Sequence, residues 1–142
     1  MRFVDTNILV YIVDKRDVSK RQIAKAVLSD AMSDPSQYLF GAQTLAEFSN
    51  VCLGKFKMSE EMVSKYLSFF LEFKIVDYNA RTVIRALEIK KRYDLQFYDS
   101  LLLATAEANG CTEFLSEDLN DGQIYCGMKV VNPFKPAQEG GK

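Results

Sequence analysis

The chain has 142 residues, 48% apolar and 26% charged, with 18 basic against 19 acidic side chains and a net charge of −1. That is enough chain for one domain with a real core, and the balance excludes the overall basic surface that makes a protein cling to nucleic acid. Histidine occurs nowhere, which excludes Ser-His-Asp triads, Cys-His nucleophile pairs, paired-histidine ribonucleases and the H-E-x-x-H zinc site. Cys52, Cys111 and Cys126 have no C-x-x-C spacing and read as small core hydrophobes in a reducing compartment. The apolar runs are too short to span a bilayer. The N-terminus shows no charged-then-apolar leader, so a cytoplasmic protein is expected. Any chemistry falls to carboxylates.

The first strand carries Phe3 and Val4, and an apolar run resumes at Ile8, Leu9 and Val10. Between them stands Asp5, followed by Thr6 and Asn7. An acid in such surroundings is capped, paired or bound to a cation, because an unpaired buried charge is very costly. As a cap, Asp5 would start a helix near Asn7. A polar loop from Asp14 to Val18 follows. Ser19 is expected to cap a helix running to about Met32, closed by Asp34-Pro35-Ser36. Tyr38-Leu39-Phe40-Gly41 reads as a second strand, and a helix from about Gln43 to Gly54 carries Glu47 in its first turns.

Ser59 caps the next helix, Glu60 to about Phe73, whose Met62, Val63, Tyr66, Leu67, Phe69, Phe70 and Phe73 exceed what one buried face needs. Ile75-Val76-Asp77-Tyr78 is a third strand. Asn79 caps a helix with Val83, Ile84, Ala86, Leu87 and Ile89 expected inward and a basic end at Lys90, Lys91 and Arg92. Tyr98-Asp99-Ser100 opens a helix apolar nearly all round, ended by Gly110 and therefore central. Phe114-Leu115-Ser116 is a fourth strand, ended by Glu117-Asp118. Asp121-Gly122 makes a turn, and Met128-Lys129-Val130-Val131 is the last strand. One domain over 1–134 with a frayed tail over 135–142 is expected.

Strands separated by helices imply an α/β fold, a parallel, Rossmann-like sheet with helices on both faces, and ligands bind beyond the carboxyl ends of such strands. Asp5 ends the first strand and Asp118 lies just past the fourth. Glu47 lies early in the helix after the second strand, and Asp99 opens the helix before the fourth. Each has an ordinary reading: Asp99 as a cap, Glu47 as a solvated helix face, Asp118 as a turn residue. Together they put four like charges on one rim. Hard oxygen donors without imidazole or thiolate point to Mg2+ or Mn2+, which can turn water into a nucleophile and offset charge on a phosphodiester.

The segments Val4-Asp5-Thr6-Asn7-Ile8-Leu9-Val10-Tyr11, Thr44-Leu45-Ala46-Glu47-Phe48, Tyr98-Asp99-Ser100-Leu101-Leu102-Leu103-Ala104-Thr105-Ala106 and Phe114-Leu115-Ser116-Glu117-Asp118-Leu119, closed by Val131-Asn132-Pro133-Phe134, resemble in that order the PIN domains, and more narrowly the VapC-type toxin ribonucleases. The resemblance implies a three-layer α/β/α sandwich and a Mg2+- or Mn2+-dependent endoribonuclease acting on RNA. It implies Asp5, Glu47, Asp99 and Asp118 as catalytic metal ligands, Ser116 beside them orienting a ligand or water, and Thr6 and Asn7 as their supports. It also implies a homodimer silenced by a small antitoxin protein. RNA would be held by a local basic patch drawn from Lys55, Lys57, Lys90, Lys91 and Arg92. Two rivals follow from the same residues. One is a non-catalytic module of this fold that binds a structural ion or a basic partner. The other is a HAD-like phosphatase with Asp5 as nucleophile, whose motif has an aspartate where this chain has Asn7.

Overall fold

Neighbouring residues along each strand bury themselves in opposite apolar layers, and this alternation organises the molecule. The structure is a computed structural model that describes residues 1–135. In β1 (Arg2–Val4), Phe3 belongs to one core and Val4 to the other. Leu39 and Phe40 of β2 (Tyr38–Gly41) divide in the same way, as do Phe114 and Leu115 of β4 (Glu113–Leu115). The Phe3 and Phe114 rings stack at 5.4 Å.

Helices α1 (Thr6–Val13), α2 (Val18–Ser33), α3 (Ala42–Gly54) and α4 (Glu60–Phe70) cover the Val4 face. Helices α5 (Ala80–Tyr93) and α6 (Phe97–Ala108) cover the Phe3 face. This is the expected α/β/α sandwich. The sheet order is β3-β2-β1-β4-β6-β5, where β3 is Ile75–Val76, β5 Ile124–Tyr125 and β6 Met128–Val131. All pairs are parallel except β5 with β6. The expectation of α6 as the central helix holds: Ser100 to Ala106 are buried without interruption. The two hydroxyls in that run are satisfied by their own helix, Ser100 donating to the Gln96 carbonyl and Thr105 to that of Leu101, each at 2.9 Å.

Several expectations are corrected. Asp17, not Ser19, caps α2: its carboxylate accepts from the Lys20 N–H at 3.0 Å, and a carboxylate at that position also meets the positive helix end. Helix α4 stops at Phe70, and Phe73 reaches the core from the turn beyond it. Ile84 and Leu87 point outward on α5, while Ala86 and Ile89 take the buried positions. The antiparallel strand β5 is absent from the sequence reading. It leads into β6 through Cys126 and Gly127, both at positive φ (52° and 79°), the turn that suits a twisted hairpin. Cys52, Cys111 and Cys126 are free thiols, two of them buried. Among the described residues no helix is long and apolar enough to cross a membrane. The tail expected to fray from 135 onward lies, beyond Lys135, outside the described residues.

Candidate active site

Asp5 is the first residue past β1 and the N-cap of α1, with 4% of its surface exposed. The strand holds its backbone, since its N–H donates to the Leu115 carbonyl at 3.0 Å. Its Oδ1 accepts from the Thr6 N–H and its Oδ2 from the Ser116 hydroxyl, each at 2.7 Å. Asp5 therefore does cap the helix, the ordinary reading of an acid at this place. Both neighbours are engaged elsewhere: the Thr6 hydroxyl donates to Glu47 Oε1, and the Asn7 amide donates to Asp118 Oδ2 at 2.6 Å. Ser116, fully buried just after β4, also accepts the Asp118 N–H at 3.1 Å. One hydroxyl thus connects the segments bearing Asp5 and Asp118.

Glu47 lies in the second turn of α3. Gln43, one turn earlier on the same face, donates from Nε2 to Glu47 Oε2 at 3.2 Å and to the Tyr98 carbonyl at 3.0 Å. That side chain links the start of α3 to the start of α6, where Asp99 stands in the first turn. Asp5, Glu47, Asp99 and Asp118 line one open cavity of about 280 Å³ together with Thr6, Asn7 and Asn50. The four acids that the sequence places on one rim therefore do meet there. Lys55, Lys57, Lys90, Lys91 and Arg92 are not among its lining residues.

The electrostatics are lopsided. Loss of water on burial pushes the Asp5 carboxyl up to about 7, against the pull of its bonds from Ser116 and Thr6, and repulsion from Asp118 and Asp99 adds to the rise. Asp99 is raised by burial and then by Asp118 and Glu47. Asp118 is raised by partial burial and then by Glu117 and Glu47. None of the four takes part in an ion pair among the described residues. No group of three acidic or cysteine side chains there is already gathered as an ion-holding cluster. The donor set nevertheless fits a hard divalent cation. It is all oxygen, it comes from four separate segments, and its like charges have no cationic partner to offset them.

A family model for the PIN domain matches residues 2–121. The chain belongs to the PIN domain family. No curated protein matches the sequence. Among solved structures, this PIN domain is similar to a chain of a toxin–antitoxin complex from Klebsiella pneumoniae, with 23% identity, a TM-score of 0.69, and 94% of this chain and 98% of that one covered. It is also similar to VapC20 of Mycobacterium tuberculosis, a toxin that cleaves the sarcin–ricin loop, with 18% identity, a TM-score of 0.67, and 83% and 92% covered. A third likeness is to DNA-bound VapBC from Salmonella typhimurium, with 14% identity, a TM-score of 0.65, and 91% and 95% covered. At these identities the likeness carries the fold.

Two polar residues of this PIN domain escape the sequence reading, Gln43 and Asn50. They stand four before and three after Glu47, on the same helical face, and that spacing was the available signal. The position where a HAD-like phosphatase would carry its second aspartate is Asn7, and here it holds Asp118.

Proposed function

We propose that this PIN domain is a metal-dependent endoribonuclease, the toxin of a type II toxin–antitoxin pair. The observation that carries the reading is the convergence of four carboxylates on one cavity with no cation paired to them. Asp5, Glu47, Asp99 and Asp118 are the residues that would hold Mg2+ or Mn2+. When bound, such an ion lowers the pKa of water and neutralises charge on a phosphodiester. The chain's own contribution is positional. Ser116 and the Thr6 N–H fix the Asp5 carboxylate, Thr6 and Gln43 fix that of Glu47, and Asn7 holds Asp118. Without histidine, no imidazole serves as base or nucleophile.

The toxin assignment is supported by the similar structures, which include toxins solved with their antitoxins. The nuclease unit is taken as residues 1–134 with 135–142 as a tail, and the active form as a homodimer silenced by a small antitoxin. Purified protein freed of any partner is expected to cleave RNA with Mg2+ or Mn2+ and to be inert in EDTA. Full cleavage in EDTA would end the metal mechanism. Expression of the chain alone is expected to arrest growth, with relief by the product of a small adjacent gene. Normal growth with active protein present would overturn the toxin assignment.

A further inference from the structure

Ser116, Glu117 and Asp118 leave β4 in succession, and each is held by its side chain. Ser116 bonds Asp5 and the Asp118 N–H, while Asp118 lines the acid cavity with the Asn7 amide on one oxygen. Glu117 goes elsewhere: it is not among the residues lining that cavity.

Both Glu117 oxygens are taken. The Tyr11 hydroxyl of α1 donates to Oε1 at 2.6 Å, and the Lys20 ammonium of α2 donates to Oε2. Lys20 also donates to the Tyr11 hydroxyl at 3.2 Å, so the three groups close on one another. The ammonium lies 5.0 Å from the centre of the Tyr11 ring and 5.8 Å from that of Phe134, within the attraction of an aromatic face. The two rings meet edge to face at 4.8 Å. Two helices and the chain beyond β6 thus converge on a carboxylate that the acid rim does not use.

A partly exposed ion pair adds little to stability. What this one fixes is the chain next to Asp118. On the other side, Leu119 is buried in the core of the Phe3 face, whereas α1 and α2 cover the Val4 face. Asp118 is therefore suspended at the sheet edge between two anchors on opposite faces. Its own carboxylate has one side-chain donor among the described residues, Asn7, which leaves its placement to those anchors.

We propose that Lys20, acting through Glu117, is a positioning residue for the ion site: it anchors the chain on one side of Asp118 and so sets where the fourth carboxylate stands. The inference rests on the metal-dependent reading of the acid rim. Charge alone predicts the opposite behaviour. A cation near an ion site repels the incoming ion, so removing Lys20 would tighten binding if its charge were all that mattered. Acting through position, its removal loosens binding.

The test titrates the full chain with Mn2+ and counts the free ion by its electron paramagnetic resonance signal. Lys20→Met and Glu117→Gln are each expected to raise the Mn2+ dissociation constant about tenfold, the low end of what the outer partners of a metal site supply. The double variant should be no worse than either single one, because both break the same connection. Lys20→Arg should keep wild-type affinity. Tyr11→Phe, which keeps the ring against Phe134 and removes one donor to Glu117, should fall between. Melting curves without metal check the fold, and if Lys20→Met does not fold, Glu117→Gln and Tyr11→Phe decide. Unchanged or tighter Mn2+ binding in Lys20→Met, or losses that multiply in the double variant, overturns the positioning role alone. A wild type that binds no Mn2+ overturns the metal reading and the positioning role with it.

Discussion

The acids of this molecule live in two kinds of surroundings. On the flanks several are matched: Arg85 grips Glu107 through two bonds of 2.8 and 3.0 Å, Arg16 holds buried Asp14 at 2.9 and 2.7 Å, Arg2 meets Glu113, and Lys20 meets Glu117. On the rim, Asp5, Glu47, Asp99 and Asp118 have hydrogen-bond donors or each other, and no basic partner among the described residues. These pairs show that the chain can set a cation against an acid, as it does for buried Asp14. Their omission at the rim leaves a local charge surplus inside a near-neutral protein. The fold tolerates it through neutral donors, which orient a carboxylate without cancelling its charge.

The sharpest way to break this comparison is to neutralise a rim acid. Asp5→Asn or Asp99→Asn should lower RNA cleavage at least ~100-fold, on the scale of losing a group that stabilises transition-state charge. The metal-free melting temperature should hold or rise, because a repelling, desolvated charge is gone. A rim variant that keeps activity, or melts well below wild type, would erase the distinction. Next in size is the response to ions. Saturating Mg2+ at about 100 times its Kd should stabilise wild type by ~2.7 kcal/mol, read as a rise of several degrees by calorimetry, and should do much less for Asp99→Asn. An equal rise in both would mean the ion sits elsewhere.

On the flank, Arg85→Ala should cost only about 0.5–1 kcal/mol, since the pair is partly exposed and screened, and should leave cleavage untouched. The smallest effects are in pH, where the two groups have opposite signs. Arg16 holds Asp14 down at about 2, so its contribution is present above the ordinary aspartate pKa and fades as pH falls toward 2. Asp5 is raised to about 7, so the metal-free fold binds more protons than the unfolded chain between about 4 and 7 and loses stability as pH rises across that window. Melting curves in EDTA should show the second slope flattened in Asp5→Asn and the first in Asp14→Asn. Parallel curves would deny the contrast.

The rim was legible because each acid interrupts or borders an apolar run at a position that a parallel sheet sends to one edge. Asp5, Glu47, Asp99 and Asp118 need only element order to be brought together. Gln43 was half legible: its spacing from Glu47 stands in the sequence, but its contact with the Tyr98 carbonyl does not. Ile84 and Leu87 fit a helical apolar stripe, yet Ala86 and Ile89 take the inward face and the larger pair is left in solvent. Strand β5 carries no Asn-Gly signature. A cysteine takes the first left-handed position, steadied by its N–H donating to the Tyr93 hydroxyl at 3.1 Å. Asp17 and Ser19 are both good caps by type, and only the path of the preceding loop chooses between them.

The bond from Ser116 to Asp5 and that from Asn7 to Asp118 each join residues 111 apart in sequence. Pairing β1 with β4 therefore closes most of the chain into a loop, a slow step in folding. At a synthesis rate of about 5–20 residues per second, roughly 5–20 s separate the making of Asp5 from that of its serine partner. The acid rim is therefore incomplete until the last of its four carboxylates, that of Asp118, has been made.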